Sequence, residues 1–478
     1  MFSLKFKKIE ITFVVLLIFF GSFIRFYNLN FDDLWSDEMT SYWLSNPFYS
    51  FSETISLIFE SNLMISFEII LKIFHKLFGY DVHISRYLNA IISVFSIILF
   101  FNLLRKNSVN INSILYGTFL LAFNIFHIRY AMELRSYTLT FFLALILINL
   151  LFEDQYLKKK NSYLDYFLII IISLLMLFSH SFSIIIIFSL NFYILCLWFL
   201  KKDDNSDLIK IFFLNIFIVI FFLLFYLKGI SHTPNWIEQL DISFFTNYFF
   251  SNFFGSRLIG GVYLVVLLYL LTKSIKQIIN KANINLFFLI LIFFSYFLPG
   301  IYGYIFEPIL INRYIIFVLI PILFLISHLT FEFNNNLVKK IFLSLIIMLT
   351  FFNHFTENTF KQFYTNIYPS KPEIGKTLKF INKSNSLNYS VLLDGNNKLN
   401  INDIYENYLN NYTKKLKFDL NFINYLDKKS LPNDFWIIHI RDITDTEFKK
   451  PNNFLNYTIK EKKYFNRLEL YQLKKNGT

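Results

Sequence analysis

The chain has 478 residues, 55% of them hydrophobic and 64 of them phenylalanine, with a mean hydropathy of +0.48. No soluble core hides that much apolar surface, so the composition excludes a soluble globular protein and leaves a polytopic membrane protein. The formal net charge is +12, but the basic residues sit in short segments between apolar runs without a nucleic-acid-binding motif, which speaks for membrane lipids and lipid phosphates and against nucleic acid.

Lys5, Lys7 and Lys8 precede the first apolar run, residues 11–27, and place its start in the cytoplasm. Arg25 near the end of that run, with no small-residue cleavage site, marks a retained anchor rather than a removed signal peptide. Eleven spans are expected, at 11–27, 86–104, 111–126, 136–152, 164–179, 182–200, 208–227, 258–271, 286–302, 313–328 and 341–352. With the start inside, every inner turn is basic: Arg105-Lys106, Lys158 to Lys160, Lys201-Lys202, Lys273 with Lys276 and Lys281, and Lys339-Lys340. An odd number of spans puts the C-terminal segment outside. Cys196, the single cysteine, lies within an apolar run and provides neither a disulfide nor a cysteine metal site.

Three apolar stretches read as helices lying along the interface rather than spans: 48–59, 63–78 and 243–254. In the second, Glu68, Lys72, His75 and Lys76 share one face, as on an amphipathic surface helix. After Phe352 the composition turns to Asn, Lys, Asp and Tyr. Lys371-Pro372-Glu373 opens a helix, and 390–393, 435–440 and 467–473 read as strands. The division is thus a membrane domain, 1–353, and a small α/β domain, 354–478, whose outside placement suits a part in selectivity. No internal repeat of the kind many transporters carry is visible.

Polar residues gather at the outer ends of the spans. They are Arg25 with Asp37-Glu38, Arg86, the run His127 to Tyr137 (with Tyr130, Glu133 and Arg135), His180, and Glu307-Pro308 with Asn312-Arg313-Tyr314. Carboxylates near hydrocarbon are costly and mark chemistry or an ion path. A transporter or lipid flippase would place such charges near span midpoints, whereas these lie at the ends. A scaffold subunit would have no need of Asp37.

Arg25 followed by Leu34-Trp35-Ser36-Asp37-Glu38, and His127-Ile128-Arg129-Tyr130-Ala131-Met132-Glu133-Leu134-Arg135-Ser136-Tyr137, resemble two elements of the GT-C glycosyltransferases of the protein O-mannosyltransferase and aminoarabinose-transferase type. Ser179-His180-Ser181 and Arg313-Tyr314 with Pro321 match two weaker elements. The resemblance runs from about residue 14 to residue 328. It departs where relatives carry His-Pro-Pro and this chain has Ser61-Asn62-Leu63-Met64.

The resemblance implies a GT-C membrane fold with about eleven transmembrane helices, and inverting transfer of a sugar from a polyprenyl-phosphate donor. The acceptor would be a lipid, glycan or protein at the outer face of a bacterial cytoplasmic membrane. Asp37 or Glu38 would be the general base. Arg135 with Tyr137, then Arg313 and Arg86, would hold the donor phosphate, since a guanidinium fork matches phosphate oxygens. Arg25, His127, Tyr130, Glu133, His180 and Tyr314 would orient the substrates. No cofactor is required, although a divalent metal through Glu38, Glu133 or His180 is compatible with the residue types.

Overall fold

The computed structural model describes residues 7–61, 63–108, 110–157, 161–200, 206–226, 237, 239, 250–332, 336–355, 371–384, 390–394, 401–416, 418–422, 432–440 and 456–476. In chain order the helices are α1 (Lys8–Phe26), α2 (Ser36–Leu44), α3 (Phe51–Glu60), α4 (Ile65–Phe78), α5 (Val82–Ser85) and α6 (Tyr87–Asn107). Next come α7 (Ile111–Ala122), α8 (Ile125–Ala131), α9 (Tyr137–Leu151), α10 (Tyr163–Leu177), α11 (Ile184–Phe199) and α12 (Ser206–Tyr226). They are followed by α13 (Arg257–Lys281), α14 (Ile284–Ile305), α15 (Leu319–Glu332), α16 (Asn336–His354), α17 (Ile374–Lys383) and α18 (Ile401–Leu416).

Among the described residues, eight helices are long and apolar enough to cross a membrane, and α7 with α8 passes the same test only as a pair bent by 51°. The shorter apolar helices α9 and α10 fall at two further expected positions. The protein therefore has a multi-pass helical membrane fold. In lipid every backbone group must be satisfied within its own segment, which is why these apolar runs are helices throughout.

Contacts divide the chain into two compact units. The first comprises residues 1–27, 58–67 and 87–360; the second comprises 28–57, 68–86 and 361–478. Within the first, α6 packs on α1, α7 and α9, α11 on α14, and α15 on α7. The span containing α15 is the most enclosed, 89% buried against 17% for α1, so it forms the centre of this unit. Residues 243–249 of the expected interfacial helix 243–254 lie outside the described residues. In its remainder Phe250, Phe253 and Phe254 are buried: Phe253 packs edge-on against Phe126, and Phe254 stacks on Tyr263 at 3.8 Å.

In the second unit α4 turns its polar face inward, not toward water. Glu68, Lys72 and His75 are all buried. Ser41 donates to Glu68 at 2.9 Å, Lys72 donates to the carbonyls of Asn46 and Tyr49, and His75 meets Ser85 Oγ at 2.9 Å. The exposed side chains of α4 are instead Ile73, Leu77 and Phe78 along with Lys76. An apolar face turned outward suits a helix in contact with lipid; Glu68, Lys72 and His75 share one face as expected, but Lys76 stands on the exposed side, and the direction of the polar face was not legible in sequence.

The C-terminal part of this unit carries a five-stranded sheet of order β4-β3-β5-β7-β6. Its strands are β3 (Ser390–Asp394), β4 (Asn421–Phe422), β5 (Asp434–Ile440), β6 (Tyr457–Phe465) and β7 (Leu468–Lys475); β1 (Phe152–Glu153) and β2 (Tyr156–Leu157) form a small hairpin in the first unit. β4, β3 and β5 run parallel, and β5, β7 and β6 antiparallel. Three of these strands match expected ones. β6 escaped the sequence reading because it is an edge strand whose Lys460, Lys462 and Lys463 break the apolar alternation, as charges on edges commonly do.

Gly260 and Gly261 in α13 provide a paired test of packing. A Cβ at Gly260 would lie 2.3 Å from Ser251 Cα, a backbone atom that cannot swing away, whereas a Cβ at Gly261 meets nothing within 4 Å. Gly260→Ala is expected to cost about 1–3 kcal/mol through overpacking, and Gly261→Ala to be neutral or to stabilise by up to about 1 kcal/mol. Thermal unfolding of the two variants in one detergent checks the contrast.

Candidate active site

The second unit is organised around one carboxylate. Ser36, Asp37 and Glu38 form the first turn of α2, where acids complement the unsatisfied N–H groups of a helix start. Glu38 accepts the Trp35 N–H and is fully buried. Arg86 grips it in bidentate fashion, Nε to Oε1 at 3.1 Å and Nη2 to Oε2 at 3.0 Å, and Lys371 Nζ reaches Oε2 at 2.6 Å. Burial alone would raise the Glu38 pKa, but Arg86 and Lys371 hold it down to about 2.

Arg86 also donates to the carbonyls of Asp32 at 2.5 Å and Asp33 at 3.1 Å. Asp33 Oδ2 accepts the Gly375 N–H at 2.8 Å, and Leu34 N–H donates to the buried Tyr408 hydroxyl at 3.3 Å. Burial raises the Asp33 pKa, against the pull of the Gly375 N–H and Arg86. The loop 32–38 is therefore fastened along its length. Asp37, next to Glu38, is half-buried on the first turn of α2.

In the first unit Arg25, on α1, is fully buried and has all five guanidinium N–H groups placed. Nε donates to Ser93 Oγ at 2.6 Å, Nη1 to the carbonyls of Gly21 and Ala122, and Nη2 to the Leu121 carbonyl and His127 Nδ1. Because Nδ1 faces a donor that cannot be deprotonated, it accepts, and His127 carries its proton on Nε2. Arg25 and His127 thus lock α1, α6, α7 and α8 together.

The other sequence-selected residues of this unit converge from three distant segments. Tyr137 starts α9, preceded by Arg135. His180 precedes the short 3-10 helix Ser181–Ser183, and Arg313 and Tyr314 open the 3-10 segment Asn312–Val318, which breaks at Ile315 before α15. Arg313 stands 5.8 Å from the ring centres of both Tyr137 and Tyr314, within cation–π range. Tyr137 and Tyr314 stack at 6.2 Å, and His180 lies 4.8 Å from Tyr314 and 5.6 Å from Tyr137. Tyr130 meets Tyr137 edge-on at 5.2 Å. Burial first, then Arg135 and Arg313, lowers the His180 pKa to about 3, so the imidazole is neutral. Glu133 pairs with exposed Arg129 at 3.6 Å.

Sequence reasoning missed the residues that hold these clusters in place. Asn89 Nδ2 donates to the carbonyls of both Glu133 and Arg135 and so sets the turn before α9. Lys371 was visible only as a helix opener, and nothing local distinguishes it from the chain's other lysines. Gly375 and Tyr408 carry no local signal either.

For a metal, no group of three or more His, Cys, Asp or Glu side chains among the described residues is arranged to hold one. Glu38, the most enclosed of the candidate ligands, already has its oxygens engaged by two cations.

No protein-family model matches the chain, and no curated protein matches it in sequence. Its fold is similar to that of ArnT from Cupriavidus metallidurans. Against the apo structure the TM-score is 0.61 at 10% identity, covering 97% of this chain and 98% of that one. Against the structure bound to undecaprenyl phosphate it is 0.59 at 10% identity, covering 96% and 98%. The oligosaccharyltransferase AglB from Archaeoglobus fulgidus gives 0.49 at 10% identity over 85% of this chain, which spans 63% of the AglB chain. The likeness to ArnT, over nearly the whole of both chains, makes this a GT-C type membrane fold with a small C-terminal sheet domain.

A depressed carboxylate contributes stability that is complete above its ordinary pKa of 4.5 and is lost as pH falls toward 2. Acid unfolding of the second unit should therefore steepen between those values, followed by the fluorescence of its tryptophans, and Glu38→Gln should flatten that part of the curve while lowering stability at neutral pH.

Proposed function

We propose that the protein is an inverting glycosyltransferase that moves a sugar from a polyprenyl-phosphate carrier to a lipid, glycan or protein hydroxyl at the outer face of the cytoplasmic membrane. The observation that carries this reading is the cluster of Arg135, Tyr137, His180, Arg313 and Tyr314, drawn from three distant segments of a GT-C fold. Two guanidiniums with tyrosines and a neutral imidazole match a phosphosugar: cations for the phosphate, aromatic faces and hydroxyls for the ring. ArnT, with the same fold, has been solved with undecaprenyl phosphate bound. The basic turns on one side of the spans support the outer placement of the acidic loop and of the segment after residue 353.

In this reading the acceptor hydroxyl attacks the anomeric carbon from the face opposite the carrier, and Asp37 takes its proton. The new bond runs from the acceptor oxygen to the anomeric carbon, and the bond from that carbon to the phosphate oxygen breaks. The carrier leaves as polyprenyl phosphate, an anion stable without a general acid. Arg135 and Arg313 stabilise the charge that grows on it, with Tyr137 as a further donor and His180 and Tyr314 orienting the sugar. Of the two adjacent acids, Asp37 is half-buried whereas Glu38 is fully buried against Arg86 and Lys371, so Asp37 is the one an acceptor can reach and is taken as the base. Arg86, whose donors go to Glu38 and two loop carbonyls, positions the loop rather than the phosphate.

The test is transfer by purified protein in nanodiscs, supplied with a panel of polyprenyl-phosphate sugars and acceptors. Asp37→Asn should lower kcat by about 10²–10⁴ with carrier binding retained. Arg313→Ala should instead weaken binding of the carrier phosphate as well as slow transfer. Carrier binding without transfer by the wild type would point to a transporter or flippase.

A further inference from the structure

Resting on the glycosyltransferase reading, we propose that Lys371 is a positioning residue for the reaction: through it and Gly375 the C-terminal segment fixes the acidic loop 32–38 on which the base stands. The segment after residue 353 is then a working part of the acidic loop's geometry and not only a means of choosing the acceptor.

The argument begins with charge. Arg86 alone satisfies Glu38: a bidentate guanidinium–carboxylate pair is neutral and geometrically complete. Lys371 adds a second cation to the same oxygen that Arg86 Nη2 and the Trp35 N–H already use, with its side chain only 15% exposed. Burying an ammonium is costly unless it is paired, and a tail with no part in the loop has no reason to bring one there. The surplus positive charge is offset by the loop itself, whose Asp32, Asp33 and Asp37 crowd seven residues with carboxylates.

The segment carrying Lys371 is itself held firmly. Asn466 Nδ2 donates to the Lys371 carbonyl, Asn466 N–H donates to Glu373 Oε2, and the Glu373 N–H donates to the Asn466 carbonyl. Asn466 lies in the β6–β7 turn, so the lysine is referenced to the sheet. Four residues on, the Gly375 N–H binds Asp33 at the other end of the loop. A Cβ at Gly375 would lie 2.2 Å from Tyr412 Oη and 3.3 Å from Asp33 Oδ1, so a side chain there would have to displace the Tyr412 ring beside Asp33. Two contacts from one short segment thus grip the loop at residues 33 and 38. A base misplaced by about 1 Å can cost about 10²-fold in rate, which is the scale on which such a grip matters.

The experiment combines kinetics with hydrogen exchange on the full-length protein in nanodiscs. Lys371→Met should lower kcat about 10- to 100-fold with the KM for the carrier nearly unchanged, and should speed amide exchange in residues 32–38. Lys371→Arg should restore most of kcat, and Gly375→Ala, which alters no charge, should reproduce the loss. In a Glu38→Gln background Lys371→Met should have little further effect, because the partner is gone.

Unchanged kcat and exchange in Lys371→Met would overturn the proposal, as would an effect confined to KM. Exchange accelerated across the whole C-terminal sheet would also overturn it, since the lysine would then be holding up its own domain. A wild type that transfers from no carrier would sink the glycosyltransferase reading instead. Exchange would then decide the grip alone, faster at 32–38 upholding it and unchanged overturning it.

Discussion

The second unit depends on the Glu38 carboxylate. It starts α2, binds a guanidinium in bidentate fashion, and takes an ammonium from a residue 333 positions further along the chain. A buried carboxylate with its partners in place contributes little net stability over an apolar substitute, but removing one partner costs about 3–5 kcal/mol because a charge is left stranded. Such an arrangement selects geometry more than it adds stability. What it selects is the course of the loop 32–38, which Arg86 ties at its carbonyls and Gly375 ties at Asp33.

Arg25 solves the same problem differently. It lies in a membrane span without an acidic partner among its hydrogen bonds, and is met by three carbonyls, a hydroxyl and an imidazole. Partial charges distributed over five acceptors replace the hydration shell of the guanidinium, and the four helices they come from are thereby fixed in register. An arginine at a span end reads from sequence as a headgroup anchor or a substrate contact; its burial here makes it a fastener. The cluster around Tyr137 differs from both: Arg135, His180, Arg313 and Tyr314 stay partly exposed, and aromatic faces rather than carboxylates stand beside the cations.

The reading of residues 63–78 shows where local pattern stops being informative. Period alone placed Glu68, Lys72, His75 and Lys76 on one face of a helix; the first three are there, and Lys76 is on the exposed side. Whether the face turns to water or to protein depends on whether partners exist for it, and Ser41, Ser45, Asn46, Tyr49 and Ser85 supply them. The adjacent acids Asp37 and Glu38 are a sharper instance. Nothing in their order separates them, yet Glu38 is buried between two cations and Asp37 is half-buried beside it.

The sequence by itself determined the membrane class, the position of nearly every span and the type of the C-terminal domain. It did so because lipid as a solvent demands about twenty apolar residues in a helix wherever the chain crosses, a requirement written in composition and length alone. It also singled out the polar residues at span ends, because such residues are expensive near hydrocarbon. Only the tertiary structure decided which of them pair. The link from Lys371 to Glu38, that from Gly375 to Asp33, and the meeting of Tyr137 with His180 and Tyr314 join segments tens to hundreds of residues apart. A contact at such separation leaves no periodic trace in one sequence, because it depends on how helices pack and not on how any one of them forms.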